Sequence, residues 1–526
     1  MKLLVLLCLA IGLVFSCNQK DKAKKAKFDN LPVTNLTGKE LAQIHCASCH
    51  AFVEPELLPR ASWKDDVLPA MGNRLGIFNG DQQPDSIFGS PRSLAIIKQA
   101  KIFPEKPLLA RADWLKLTQY YIENSSDSLI PAIKYKPINM GLEHFKYKEP
   151  QYASRPPFTS MVKIRSGNKG LVFGDSKPRG SRLTFLTPDL KKEFDVSFQN
   201  TPVDFYEKRD TIYLTTIGRN IFPNDFMDGG IQKVPFHHEG SPPSPGTTIV
   251  SGLQRPVDMA YGDLTGNGLE DIVACEFGNL TGKLTWFKNL GNNTYQRNIL
   301  KKSPGAISAI IKDYNKDGHN DIFVLMAQGA EGVFYYENLG DGTFSEKRIL
   351  VFSPLNGSQY IELADFNQDG LDDIVYVCGD NADKTPILKD YHGVYVYIND
   401  GSFAFNEKYF YPLNGAYKAM ARDYDLDGDL DIAAISFFPD YLDRPEESFV
   451  YLKNHGNLKF EAYTFPQSPQ GRWAVMDAGD IDADGDIDLA LGSFVYFLAK
   501  GDTTGLSKRW LTESPSVILL ENTIKP

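Results

Sequence analysis

The sequence predicts two unlike parts: a small all-α domain near the N-terminus, then a large all-β domain built as a ring of repeated four-stranded units. Three observations carry this. Five acidic nonapeptides begin at Asp263, Asp313, Asp365, Asp423 and Asp480, separated by 50, 52, 58 and 57 residues. Apolar, aromatic-rich segments of strand length recur in the same order after each of them. Upstream, Cys46-Ala47-Ser48-Cys49-His50 follows a helix-start signal. The 526 residues exceed one ordinary core, which also argues for domains or a repeat array. A formal charge of −10 excludes a nucleic-acid binder that works through a broadly basic surface. Six Cys are too few to staple a chain of this size, so each calls for its own explanation.

The chain opens with Lys2 and an apolar run from Leu3 to Phe15, shorter than the roughly 20 residues that span a bilayer as a helix. The run ends in Val14-Phe15-Ser16-Cys17, which resembles the lipobox of bacterial lipoproteins. The resemblance implies a signal peptide over residues 1–16 and lipidation of Cys17 as the mature N-terminus. Residues 17–30, with Lys20, Lys22, Lys24, Lys25 and Lys27, are expected to be a solvated tether. The expected location is therefore exported: an outer-membrane or cell-surface lipoprotein, or one facing the periplasm, held to the membrane through the lipid alone.

Residues 31–130 are expected to form the all-α domain. Thr37 and Glu40 have capping-box spacing, so a helix should start there and carry the motif, with Cys46, Cys49 and His50 on one face. That spacing suits attachment of two haem vinyl groups with His50 on the iron, and it resembles the attachment motif of c-type cytochromes. A dithiol redox motif would need βαβ surroundings, and a zinc site would need a second Cys pair. A final helix is expected to be capped by Asp113, with Trp114, Leu117 and Tyr120 or Tyr121 on one face. The cofactor expected is one covalent haem c. Met71 is assigned as its sixth ligand, the alternative being a core methionine and an open iron.

The nonapeptides share the form D-x-[DNT]-x-[DN]-G-x-x-D. Their candidate ligands are Asp263, Thr265, Asn267 and Asp271; Asp313, Asn315, Asp317 and Asp321; Asp365, Asn367, Asp369 and Asp373; Asp423, Asp425, Asp427 and Asp431; and Asp480, Asp482, Asp484 and Asp488. Side-chain oxygens at positions one, three, five and nine, a position-seven carbonyl and a turn-forming Gly at six suit up to five Ca²⁺. The loops are not EF-hands, because the twelfth position of the first is Ala274 and each loop runs into a strand. The last two loops, with four carboxylates each, should bind tightest.

Segments such as Leu284–Asn289, Val333–Asn338, Val394–Asn399 and Phe449–Asn454 recur after the loops, giving four strands in some fifty residues, the content of one propeller blade. Residues 255–526 resemble the FG-GAP or VCBS repeat family, which implies a seven-bladed β-propeller. Two upstream blades without loops, around Leu171–Leu186 and Thr211–Val234, complete the count over residues 131–526. The chain stops after a third strand, Val517–Asn522, while Leu142–Tyr147 reads like the fourth strand Leu458–Tyr463, so residues 142–148 are expected to close the last blade. Cys275 and Cys378 should be unpaired core residues. His237, His238 and Glu239 fall on an insertion expected to be an exposed polar loop, with a metal or acid/base role as the alternative.

Together these features imply an exported, lipid-anchored electron-transfer cytochrome rather than an enzyme, whose calcium-loaded propeller docks a redox partner protein, or a glycan or protein ligand. The alternatives are a haem-coupled dehydrogenase with a substrate site in the propeller, similar to families that join a cytochrome domain to a propeller, and a polysaccharide-binding or adhesion module.

Overall fold

The computed structural model describes residues 31–78, 91–129, 135–177, 180–236, 246–381, 387–496 and 502–524. The segment 1–16, Cys17, the tether 17–30 and His237, His238 and Glu239 lie outside the described residues. The chain divides into two units, Met1–Ile130 and Pro131–Pro526. Among the described residues no helix is long and apolar enough to cross a membrane.

The first unit is helical. Helix α1, Gly38–His45, starts at a complete capping box: Thr37 Oγ1 accepts the Glu40 N–H, and Glu40 Oε2 accepts the Thr37 N–H at 2.8 Å. A short α turn, Arg60–Ser62, widens into a π turn over Trp63–Val67 and continues as α2, Leu68–Arg74. Helices α3, Pro91–Ala100, and α4, Arg111–Asn124, follow. Helix α1 lies across α4 at Gly38, where a Cβ would stand 2.3 Å from the Lys116 carbonyl oxygen, so only glycine permits that approach. Leu41, Trp63, Trp114, Leu117 and Tyr121 fill the space between.

Two sequence expectations are corrected here. The motif does not lie along α1, because the helix ends at His45 with Cys46 as its C-cap; the Ser48 hydroxyl donates to the His45 carbonyl at 2.8 Å, competing with continued helix. Asp113 is not the cap of α4, since Ala110 takes that position and Asp113 sits in the first turn. Its buried carboxylate instead accepts the Thr34 N–H at 2.9 Å and the Lys116 ammonium at 2.9 Å, tying the segment before α1 to α4.

The second unit is a seven-bladed β-propeller of seven sheets, antiparallel but for one added strand. In chain order, blades 1 to 7 begin with the strands Thr159–Ile164, Pro202–Lys208, Pro256–Gly262, Ala306–Lys312, Ser358–Ala364, Ala416–Arg422 and Trp473–Gly479, the first of four strands in each. Each of these strands has a register irregularity just after its first residue, including blades 1 and 2, which lack an acidic loop. The second strands are buried along their whole length in blades 3 to 7, as in Asp321–Met326, because sheets pack on both of their faces.

Blade 7 takes its outer strand from far upstream. Phe145–Lys148 pairs antiparallel with Val517–Asn522, and Phe145 packs edge-on to Tyr424 and Tyr451 of blade 6. Blade 6 carries an addition the sequence did not reveal: Asn139–Met140 pairs parallel to Phe460–Thr464 as a fifth strand. Cys275 and Cys378 are buried and unpaired, on second strands of blades 3 and 5.

Candidate functional site

Antiparallel connectivity sorts the propeller's connections onto two faces. The acidic nonapeptides join first to second strands in blades 3 to 7, so all five lie on one face. Of the longer second-to-third connections, the described residues 217–228, 379–381, 387–392, 437–448, 494–496 and 502–516, with helix α5, Leu506–Glu513, lie on the other.

All five loops wind alike. The position-one Asp accepts the N–H of the position-six Gly at 2.7, 3.0, 2.8, 3.1 and 3.1 Å in chain order. That Gly is left-handed throughout, with φ from 79° to 100° at Gly268, Gly318, Gly370, Gly428 and Gly485. Position four is also left-handed, although it holds Lys316, Gln368, Leu426 and Ala483 in four of the loops. The ninth-position Asp is wholly buried, and its two oxygens accept backbone amides from different places. In loop 3, Asp373 takes Phe366 N–H at 2.9 Å and Asn399 N–H at 2.9 Å. Burial pushes the carboxyls of Asp373, Asp431 and Asp488 up, to about 6, 7 and 7.

The loops differ in how they gather charge. In loop 1, Asp263 accepts Thr265 N–H at 3.1 Å, and Asn267 Nδ2 donates to the Asn289 carbonyl. In loops 2 and 3 the amides of Asn315 and Asn367 donate to Asp317 and Asp369 at 2.9 and 2.8 Å, so those pairs satisfy each other. Loop 4 brings carboxylate oxygens of Asp423, Asp425 and Asp427 within 4.8 Å of one another, and loop 5 does the same with Asp480, Asp482 and Asp488. Asp431 and Asp484 stand outside those two groupings. Oxygen-only donor sets of this density, on Gly-turned loops, fit a hard cation such as Ca²⁺.

In the first unit, Cys46, Cys49 and His50 occupy a turn. His50 Nδ1 lies 2.8 Å from the Ala51 carbonyl oxygen; a carbonyl only accepts, so Nδ1 carries the proton and Nε2 keeps its lone pair for a metal. Neither thiol is in a disulfide. Burial pushes the Cys46 thiol up to about 11, beside the Tyr121 hydroxyl. The Arg74 guanidinium is within electrostatic reach of Cys49, which turns the last turn of α2 toward the motif. Met71, three residues earlier and half-buried, shares that helix face. Two free thiols and an imidazole with an available Nε2 fit a covalently held haem.

Sequence reasoning missed the ionic ring on the innermost strands. Asp477 of blade 7 accepts Ile164 N–H of blade 1 at 2.8 Å, Asp258 of blade 3 accepts Ala309 N–H of blade 4 at 2.8 Å, and Glu362 of blade 5 accepts Ala421 N–H of blade 6 at 2.7 Å. Lys163 lies 3.8 Å from Asp477, and Arg422 pairs with Glu362 at 2.7 Å. These acids lock neighbouring blades together. The period-two pattern hid them, because polar residues alternating with Met and Ala read as an ordinary exposed face.

On the face opposite the loops, the Arg472 guanidinium stacks 3.9 Å over Phe437 and 6.0 Å from Trp510, while Arg255 lies 5.1 Å over Phe277 and donates to the Gly278 carbonyl at 3.0 Å. Tyr441 and Tyr417 adjoin Arg472, and burial, then Asp380, pushes the Tyr417 hydroxyl up to about 12.

An FG-GAP-like repeat model matches residues 263–324, 313–376 and 423–491. The chain therefore carries FG-GAP repeats on a seven-bladed propeller. No curated protein matches the sequence. Among solved structures, the N-terminal domain of Nup159 is similar over 74% of this chain and 99% of that one, at 12% identity and a TM-score of 0.41. A chain in a complex of a S. cerevisiae Dbp5 variant with Nup159, a Gle1 variant, IP6 and ADP is similar over 73% and 97%, at 10% identity and 0.41. Likeness at that level carries no argument about this chain.

Proposed function

We propose that this protein is an exported, lipid-anchored electron-transfer cytochrome whose calcium-loaded propeller docks a redox partner or a ligand. The observation that carries the reading is His50, placed one residue after Cys49 and three after Ala47 in the C-x-x-C-H motif, with Nδ1 held by the Ala51 carbonyl and Nε2 available. Haem c would supply one-electron carriage at this place. Cys46 and Cys49 would hold it through thioethers, and His50 and Met71 would ligate its iron. Trp63 and Tyr121, in tilted contact with ring centroids 4.2 Å apart and anchored to the Pro55 and Val53 carbonyls, give the motif a rigid wall.

The five loops would take Ca²⁺, most tightly in loops 4 and 5, and stiffen one face. The opposite face would meet the partner, since long connections gather there and the half-buried Arg255 lies over Phe277 beside them, residue types enriched at interfaces. The same face favours a second reading, a haem-coupled dehydrogenase or glycan binder, because the half-buried Arg255 and Phe277 could also meet a sugar. The test expresses the full chain with haem maturation. Haem reduction by a sugar or alcohol without an added redox protein would select the dehydrogenase. Haem exchange of electrons with a co-purifying redox protein, and no such substrate oxidation, supports the carrier.

A further inference from the structure

The third strand of blade 7 ends in Asn522, which touches two acidic loops at once. Its backbone N–H donates to Asp488 of loop 5 at 2.8 Å, and its Nδ2 donates to the Tyr424 carbonyl of loop 4 at 2.7 Å. Tyr424 in turn donates its N–H to Asp431, the ninth residue of loop 4, at 3.3 Å. An unbroken run of hydrogen bonds therefore joins the ninth-position Asp of one loop to that of the next. The same run joins loops 1 and 2: Leu264 N–H to Asp271 at 3.2 Å, Asn338 Nδ2 to the Leu264 carbonyl at 2.9 Å, and Asn338 N–H to Asp321 at 2.8 Å. Every residue of both runs is at most 3% exposed, so water does not compete for these bonds. The other neighbouring loops meet differently. Asn454 turns its carboxamide to the Leu430 carbonyl of its own loop at 3.1 Å, and loops 3 and 4 touch through the exposed Gln368 Nε2 on the Gly428 carbonyl. Asn399 gives its carboxamide to the Tyr314 hydroxyl, a side chain rather than the backbone of loop 2.

We propose that loops 4 and 5, and likewise loops 1 and 2, are coupled pairs, in which Asn522 and Asn338 make the gathering of ligands in one loop favour the same arrangement in its neighbour. The proposal rests on the calcium reading of the loops and adds a rule for which of them fill together. Position two lies between the candidate ligands at positions one and three. Holding its N–H and its carbonyl from opposite sides fixes the peptide that spaces those ligands. Each loop has two arrangements to choose between, since Asp425 and Asp427 act on Asp423 as like charges that part without a cation and draw in around one. A run that fits the drawn-in form at both ends biases both loops, and the coupling is reciprocal. Loop 3 stands outside both runs and should fill on its own.

Full chains carrying Asp263→Asn, Asp313→Asn and Asp365→Asn keep loops 4 and 5 intact. Calcium binding is followed by equilibrium dialysis in this background and with Asn522→Ala or Asn454→Ala added. The background should bind two ions with a Hill coefficient above one, the second about five-fold or more tighter than the first. Asn522→Ala should still bind both ions, with a coefficient of one or less, and Asn454→Ala should match the background. A coefficient of one or less in the background, fewer than two ions there, persistence in Asn522→Ala, or equal loss in Asn454→Ala overturns the proposal and leaves the calcium reading standing. Chains with Asp365→Asn, Asp423→Asn and Asp480→Asn repeat the measurement on loops 1 and 2 with Asn338→Ala, which decides the matter if Asn522→Ala does not fold. Failure of both Ala variants to fold makes the asparagines packing residues and overturns the proposal as well. A wild-type chain that binds no calcium overturns both readings.

Discussion

The backbone N–H of Asn454 donates to Oδ1 of Asp431 at 2.8 Å, pinning the end of a third strand to the last residue of an acidic loop. The same bond recurs from Asn289 to Asp271, Asn338 to Asp321, Asn399 to Asp373 and Asn522 to Asp488, at 2.6 to 2.9 Å. The ninth-position Asp is therefore a structural bracket in its own right, whatever else it binds. Its two oxygens join the loop to the third strand, which no interaction between neighbours in sequence could do.

This bracket is testable apart from metal. Asp321 accepts N–H groups of Tyr314 and Asn338 and the Tyr335 hydroxyl, at 3.3, 2.8 and 2.8 Å. Asp321→Asn turns an NH₂ toward at least one of these donors, which should cost about 1–3 kcal/mol. Urea denaturation in chelator should find that loss undiminished; a loss seen only in calcium would make Asp321 chiefly a ligand.

Calcium removal should lower the melting temperature, since each site filled at a hundred times its dissociation constant contributes about 2.7 kcal/mol. Asp427, exposed and grouped with Asp423 and Asp425, is the position to separate binding from folding. Asp427→Asn should leave melting in chelator unchanged and reduce the rise that calcium produces. An equal drop in both buffers would contradict a ligand role.

Ring closure depends on a strand from the start of the unit. Phe145 packs against Tyr424 and Tyr451 with ring centroids 6.0 and 5.7 Å away, so Phe145→Ala should cost about 2–3 kcal/mol and loosen the pairing with Val517–Asn522. Hydrogen exchange should quicken first at 517–522, where the edge opens. Protection unchanged there, alongside a lower melting temperature, would place the loss elsewhere.

Much of the propeller was legible in the sequence because its determinants are local. The Asp spacing and the Gly at position six sit in one short window, and the Asn closing each third strand recurs with the repeat. The left-handed Lys316, Gln368, Leu426 and Ala483 were not legible, since nothing in those residue types asks for positive φ; the loop's hydrogen bonds impose it. Asp486 reads as one more acid in a row, and only the fold shows that it is buried. Near the motif, Cys46 to His50 was readable as chemistry, but its local shape was not. The Ser48 hydroxyl bond to His45 ends the helix, and Asp113 is used across the fold at Thr34 rather than as a cap. Asn139–Met140 joined blade 6 unannounced, because two residues carry no periodicity.

The profile of stability against pH should carry the mark of Glu331. This buried carboxyl is pushed up to about 8 by burial, against the opposing hydrogen bond of the Ser358 hydroxyl at 2.9 Å. The unfolded chain ionises Glu near 4.5, so between that pH and about 8 the folded state holds the extra proton. Its stability contribution is complete below pH 4.5 and lost as pH rises to about 8. Glu331→Gln should flatten this part of the curve, so wild type minus variant shrinks from pH 5 to pH 8 in urea midpoints. A constant difference would contradict the burial argument.

The proposed haem c, held by Cys46, Cys49, His50 and Met71 for electron transfer, is decided by the visible spectrum of the reduced full chain after haem maturation, read with and without carbon monoxide. A haem so held gives a sharp α-band, stays with the polypeptide on denaturation, is no longer retained in Cys46→Ala/Cys49→Ala, and shows no carbon monoxide shift. An absent α-band, extractable haem or ready carbon monoxide binding would contradict it.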